Sequence, residues 1–262
     1  GDIYDLSMRR YLVSCVRDQA LWRYELEGHT NGATPRSEIC VVETSGGESV
    51  GFLMYASHLS DDDLSVTFYE LRSDMSWTAV TPSVISYLLR VGEEYAAKDG
   101  LAGGFGDLSF LLDERHPVYE AMDGCLRHPE RYYAWYLRIP DLPEFMRCVT
   151  PVFERRLAES AMAGHTGEIK ISFITGGLHL VFERGRMTSV EDWQTTQEDS
   201  RYRPVVRDAL FPGLIFTQVL FGYRSVKELE YAFPDCVINP GKTRELLNVL
   251  FPKQPSFVWG VE

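Results

Sequence analysis

From Glu168 to Asp192 the chain alternates apolar and polar side chains with a period of two, and this rhythm limits its possible folds more than any other feature. Ile169, Ile171 and Phe173 fall on one side, and Glu168, Lys170 and Ser172 on the other. Gly176-Gly177 turns the chain, Leu178, Leu180 and Phe182 resume the pattern, and Gly185 turns it again into Arg186 to Asp192. Successive strand side chains point to opposite faces, so the segment predicts a three-stranded antiparallel meander with one wet face. The dry face needs a cover, and helical spacing supplies it. Leu142, Phe145, Met146, Val149, Val152 and Phe153 share one side of residues 142–160, with Pro151 kinking or dividing that helix, and three more helical segments lie near 213–222, 225–233 and 240–251. Residues 195–207 read as a polar loop and Pro255 to Glu262 as a tail.

The first half of the chain has a different order. Residues 4–28 carry Leu12, Val16, Leu21 and Tyr24 at helical spacing and predict a helix in two pieces. Ser37–Thr44 and Val50–Ala56 flank Ser45-Gly46-Gly47-Glu48 as a β-hairpin, and a strand follows at Ser65–Leu71. Thr81-Pro82-Ser83 offers an N-cap with proline at the first helical position, and Val84, Leu88, Val91 and Tyr95 then mark an amphipathic helix to about Lys98. A glycine-rich loop over Asp99–Gly106, a strand at Asp107–Leu112, a short helix at His116–Met122 and a strand at Tyr132–Ile139 complete it. The proline pair in Pro140-Asp141-Leu142-Pro143 marks the boundary, giving domains of 1–139 and 140–262 and an α+β fold class.

A chain of 262 residues with 45% hydrophobic and 24% charged residues has the balance of a folded globular protein. A formal charge of −12 disfavours nucleic acid as a partner, because a phosphate backbone would be repelled. Apolar stretches such as Ala209 to Gly222 are too short or interrupted to span a bilayer, and no membrane segment is expected. Cys15, Cys40, Cys125, Cys148 and Cys236 form no C-x-x-C pair and have no histidine at zinc-ligand spacing, so they read as reduced thiols of a cytoplasmic protein. His58, His116 and His128 are isolated and read as loop histidines, and Asp61-Asp62-Asp63 as a solvated turn without the glycine and glutamate of a calcium loop. No metal site is expected. The start at Gly1-Asp2-Ile3 rather than Met fits either a tag remnant or an excised segment, and leaves room for missing chain upstream.

Residues 37–139 resemble the acyl-CoA-dependent N-acetyltransferase (GNAT) fold on two stretches. "ICVVETSGGESVGFLMYA" looks like its second and third strands, and "RHPVYEAMDGC" like the short helix near the acceptor site. From about Leu142, "GEIKISFITGGLHLVFERGRMTSVE", "FPGLIFTQVLFGYRSVKELEYAFPDCVI" and "TRELLNVLFPKQPSFVWGVE" resemble the sterol-carrier-protein-like domain that closes acetyltransferases of the enhanced-intracellular-survival type. The resemblance implies the last two parts of such an enzyme: a GNAT-like domain without CoA binding and the sterol-carrier-like domain. It implies an upstream domain holding acetyl-CoA, an amine acceptor and a homo-oligomer.

The departure from the family's pattern concerns the cofactor. Where active members have Q/R-x-x-G-x-G/A, small residues let backbone N–H groups approach the pyrophosphate. Arg72 to Pro82 contains no glycine here, and it places Trp77 and the acidic Asp74 in that turn. Acetyl-CoA is therefore expected in the intact protein and not tightly bound to this chain. A helix start at Thr81-Pro82-Ser83 would still offer free N–H groups, making Thr81 and Ser83 the candidate cofactor contacts.

Three residues are candidates for chemistry. The resemblance places Tyr119 near the family's tyrosine general acid and implies that the terminal carboxylate of Glu262 reaches the upstream catalytic site, although the family ends in an aromatic residue. Glu70 lies on a strand where some members place a base. Each has a plainer reading: core packing for Tyr119 and a strand's wet face for Glu70. Tyr132, Tyr133, Trp135 and Tyr136 read as interdomain packing or the wall of an apolar pocket. The apolar interior of the second domain leaves open a non-catalytic module that binds an apolar ligand or serves as a scaffold.

Overall fold

The computed structural model describes residues 1–28, 37–113, 115–126, 137–194 and 207–258. The chain divides into two compact units, Gly1–Trp135 with Phe257–Glu262, and Tyr136–Ser256. Each mixes helices with a sheet, so the fold class is α+β. Of the tail expected to close the second domain, Phe257 and Val258 belong to the first unit.

In the first unit, α1 (Asp2–Met8) and α2 (Gln19–Glu27) precede β1 (Ser37–Glu43), β2 (Ser49–Ala56) and β3 (Asp63–Leu71). The helix α3 (Trp77–Asp99) then leads to β4 (Asp107–Phe110) and α4 (Pro117–Ala121). The sheet order is β1-β2-β3-β4, with the first three strands antiparallel and β4 parallel to β3. A parallel neighbour requires a crossover, and α3 is that crossover. Gly47 takes φ 81° in the hairpin turn, a conformation that glycine adopts without steric cost.

Strand alternation gives this sheet two dry faces. Leu53, Tyr55, Tyr69 and Leu71 pack toward Val84, Leu88 and Val91 of α3. Met54 and Phe68 face the opposite way, against Tyr4, Met8, Tyr11, Trp22 and Phe257. Both faces are buried because helices cover one and the N-terminal segment the other.

The helix does not start at Thr81. Ser76 is the N-cap and its hydroxyl accepts a bond from the Ala79 amide, leaving Pro82 inside the helix. Thr81 cannot cap because its hydroxyl is turned inward to the Tyr69 hydroxyl at 3.1 Å. The far end follows the expected rule: Gly100 has φ 66° and donates to the carbonyls of Ala96 and Ala97. The strand expected to reach Leu112 stops at Phe110. Of the strand expected at Tyr132–Ile139, residues 132–136 lie outside the described residues, and Leu137–Ile139 have no regular structure.

In the second unit, α5 (Leu142–Cys148) and α6 (Thr150–Ala158) precede β5 (Gly167–Ser172), β6 (Gly177–Glu183) and β7 (Arg186–Asp192). Then come β8 (Ala209–Leu210), α7 (Ile215–Leu220), α8 (Val226–Ala232), β9 (Val237–Ile238) and α9 (Lys242–Leu250). Pro151 divides the first helical stretch, as expected, by sitting in the first turn of α6. The meander forms as read, and β8 and β9 extend it to the order β7-β6-β5-β8-β9. Ser172, expected to face water, is buried because Leu210 of β8 pairs with it in parallel. Interlocking rings fill the interior: Phe216 lies 5.4 Å from both Phe211 and Phe251, and Phe153 lies 5.4 Å from Phe251. Of the loop at 195–207, residues 195–206 lie outside the described residues. No helix among the described residues is long and apolar enough to cross a membrane.

Candidate functional site

The ionisable groups of the first unit converge where β3 outruns its parallel neighbour. Pairing ends at Val66 and Phe110, and the Leu111 amide still bonds the Val66 carbonyl, but β3 continues to Leu71. The chain after β4 therefore passes the end of β3 as an irregular turn, which brings His116 against Tyr69 and Glu70.

Glu70 is 2% exposed, so its expected place on a wet face is corrected. It faces the N-terminal segment, whose Arg10 grips it with both terminal nitrogens, one of them at 2.8 Å from Oε2. On its other side His116 Nε2 lies 3.6 Å from Oε1, outside hydrogen-bond range. Burial opposes ionisation of Glu70, but His116 and Arg10 together outweigh it and hold the carboxyl below its ordinary range. A carboxylate so held accepts a proton poorly and clamps three segments together. Glu70 suits a structural ion cluster better than a general base.

His116 is not a loop histidine in solvent. It caps α4, its Nδ1 accepting the Val118 amide at 3.2 Å, so in the neutral ring the proton sits on Nε2, facing Glu70. Trp77 meets the His116 ring edge-on at 5.0 Å and the Tyr69 ring at 5.1 Å. Burial pushes the Tyr69 hydroxyl up to about 12, against the opposing bond to Thr81. Tyr119 is buried beside them and donates to the Phe110 carbonyl at 2.7 Å, which commits its proton to the backbone. The core-packing reading of Tyr119 fits this geometry.

The structure thus gathers Glu70, Tyr119 and Thr81 around Tyr69 and His116. Ser83 is exposed on α3, away from the helix start, and Glu262 lies outside the described residues. The first turn of α3 comprises residues 77–79, with the Ala79 amide taken by Ser76, so Thr81 and Ser83 do not lie at the helix start and the argument for them as cofactor contacts falls. In the turn before α3, Arg72 is taken up by Asp74 at 2.6 Å and by Glu48 at 2.7 Å. Asp63 accepts bonds from Ser65 and Ser109, His58 is exposed, and His128 and Tyr132, Tyr133, Trp135 and Tyr136 lie outside the described residues. Among the described residues no three or more His, Cys, Asp or Glu side chains gather where a metal ion could be held.

Sequence reasoning missed Arg10 and His116. A signal existed for His116, since a polar residue before proline at a helix start is an N-cap pattern. Arg10 carried none, because it reaches Glu70 across 60 residues from a segment read only as helix. A scan of the sequence against protein-family models finds no match, and no curated protein matches it.

Proposed function

We propose that the chain is the part of a GNAT-type N-acetyltransferase that does not bind CoA: a GNAT-like unit followed by a sterol-carrier-like unit, which shape the acceptor site and the oligomer. Acetyl-CoA is assigned to an upstream domain, and the acceptor to the class of primary amines, whose positive charge suits a chain of net charge −12. The proposed setting is the cytoplasm, and the proposed assembly is a homo-oligomer.

The observation that carries the reading is the β1-β2-β3 antiparallel set joined through α3 to a parallel β4, with the space beside β3 filled by Trp77, Tyr69 and His116. This order resembles that of a GNAT core and so supports the reading. Three features support a unit that does not bind CoA: residues 72–82 hold no glycine to admit a pyrophosphate, the Trp77 indole packs on Tyr69 and His116, and Arg72 is paired with Asp74 and Glu48. No catalytic step is assigned to this unit.

The test is acetyl transfer by the full natural polypeptide that contains these residues. Transfer from acetyl-CoA to members of a primary-amine panel, lost when residues 1–262 are deleted, is the expected result. No transfer to any amine, or transfer unaffected by the deletion, would overturn the proposal.

A further inference from the structure

Phe257 is linked to the Glu70 cluster through a continuous set of side chains. Phe257 donates its amide to the Val13 carbonyl at 2.9 Å and bridges to Ser14 in parallel. Its ring stacks on Tyr11 at 5.5 Å with an interplanar angle of 29° and meets Phe68 edge-on at 5.4 Å. The Arg10 guanidinium lies over the same Tyr11 ring, 4.7 Å from its centroid. Arg10 in turn holds Glu70 with both terminal nitrogens, and Glu70 faces His116.

Stacking fixes the Tyr11 ring, and a fixed ring limits where a guanidinium above it can lie. Residues 9–18 have little regular structure of their own, between the end of α1 and the start of α2. The Arg10 and Tyr11 amides bond the Ser7 and Met8 carbonyls and so hold the backbone at the end of α1, and outside packing acts on the two side chains. We propose that the C-terminal segment is a clasp in which Phe257 acts as a positioning residue, fixing Tyr11 and through it the grip of Arg10 on Glu70. The proposal is independent of the acetyltransferase reading. It makes residues 257–258 a working part of the first unit, and it implies that whatever draws the tail away loosens the buried ion cluster.

A double-mutant cycle at pH 7 tests this. Phe257→Ala and Glu70→Gln are made singly and together in the full chain, and unfolding is followed in urea. If Phe257 positions Arg10, the Glu70→Gln change lowers the folding equilibrium constant less in the Phe257→Ala background, by about threefold or more. Phe257→Ala combined with Val91→Ala, on the α3 side of the sheet, is the control and should be additive. A merely structural role would make both pairs additive, and that result overturns the proposal. If Phe257→Ala does not fold, Phe257→Leu replaces it, keeping apolar bulk while losing the stack, with the same two outcomes.

Discussion

Glu70 shows how one side chain can be read from sequence in type and misread in place. In Phe68-Tyr69-Glu70-Leu71 the alternation correctly puts Glu70 opposite Tyr69, but the face opposite Tyr69 is covered by the N-terminal segment and is not wet. Burying a carboxylate without a partner is costly, and Arg10 and His116 offset that cost. Removing one member of such a pair leaves the other uncompensated, so Glu70→Gln is expected to cost about 2–4 kcal/mol at pH 7, somewhat below a fully buried pair because Arg10 is partly exposed. The pH dependence follows from the lowered folded-state pKa. Glu70's contribution is complete above its ordinary value of 4.5 and is lost as pH falls through the lower folded value. Urea melts across pH 7 to 3 should show the gap between wild type and Glu70→Gln narrowing toward the acid end. A gap constant with pH would show that the ionised pair contributes nothing.

At the scale of elements, legibility tracked how local the deciding interaction is. The meander, the hairpin and the division at Pro151 are set by neighbours in sequence, and all three were readable. The start of α3 was not, because a tertiary bond from Thr81 to Tyr69 removed the obvious cap and Ser76 took its place. Nor were β8 and β9, two residues each, too short to leave a periodic pattern. Gly92 offers a test of tertiary control within α3. Alanine is favoured over glycine in a helix interior by about 1 kcal/mol. A Cβ at Gly92 would collide with the Phe105 ring, which packs against the helix at that point. Gly92→Ala is therefore expected to lower the melting temperature rather than raise it, and a rise would mean that Phe105 swings aside at no cost.

At the scale of the molecule, the proline pair suggests a boundary at residue 140, the compact units divide between Trp135 and Tyr136, and the return of Phe257 to the first unit has no signal in the sequence. A single aromatic residue near a terminus has no periodicity to betray its partner. The candidate site was legible in part: Glu70, Tyr119 and Thr81 do converge, yet the residues that join them, His116 and Trp77, were read as a loop residue and as an obstacle to phosphate. In the structure the obstacle is the filling. Trp77 packs on Tyr69 and His116, and under the proposed function this packing is what keeps a nucleotide cofactor out of the first unit. Calorimetric titration of this chain with acetyl-CoA measures that directly. The account predicts no heat of binding and no rise in melting temperature at millimolar ligand, because a ligand that binds only the folded state must raise the midpoint. Saturable binding, with a melting temperature that climbs with acetyl-CoA concentration, would contradict it and make the first unit a cofactor domain.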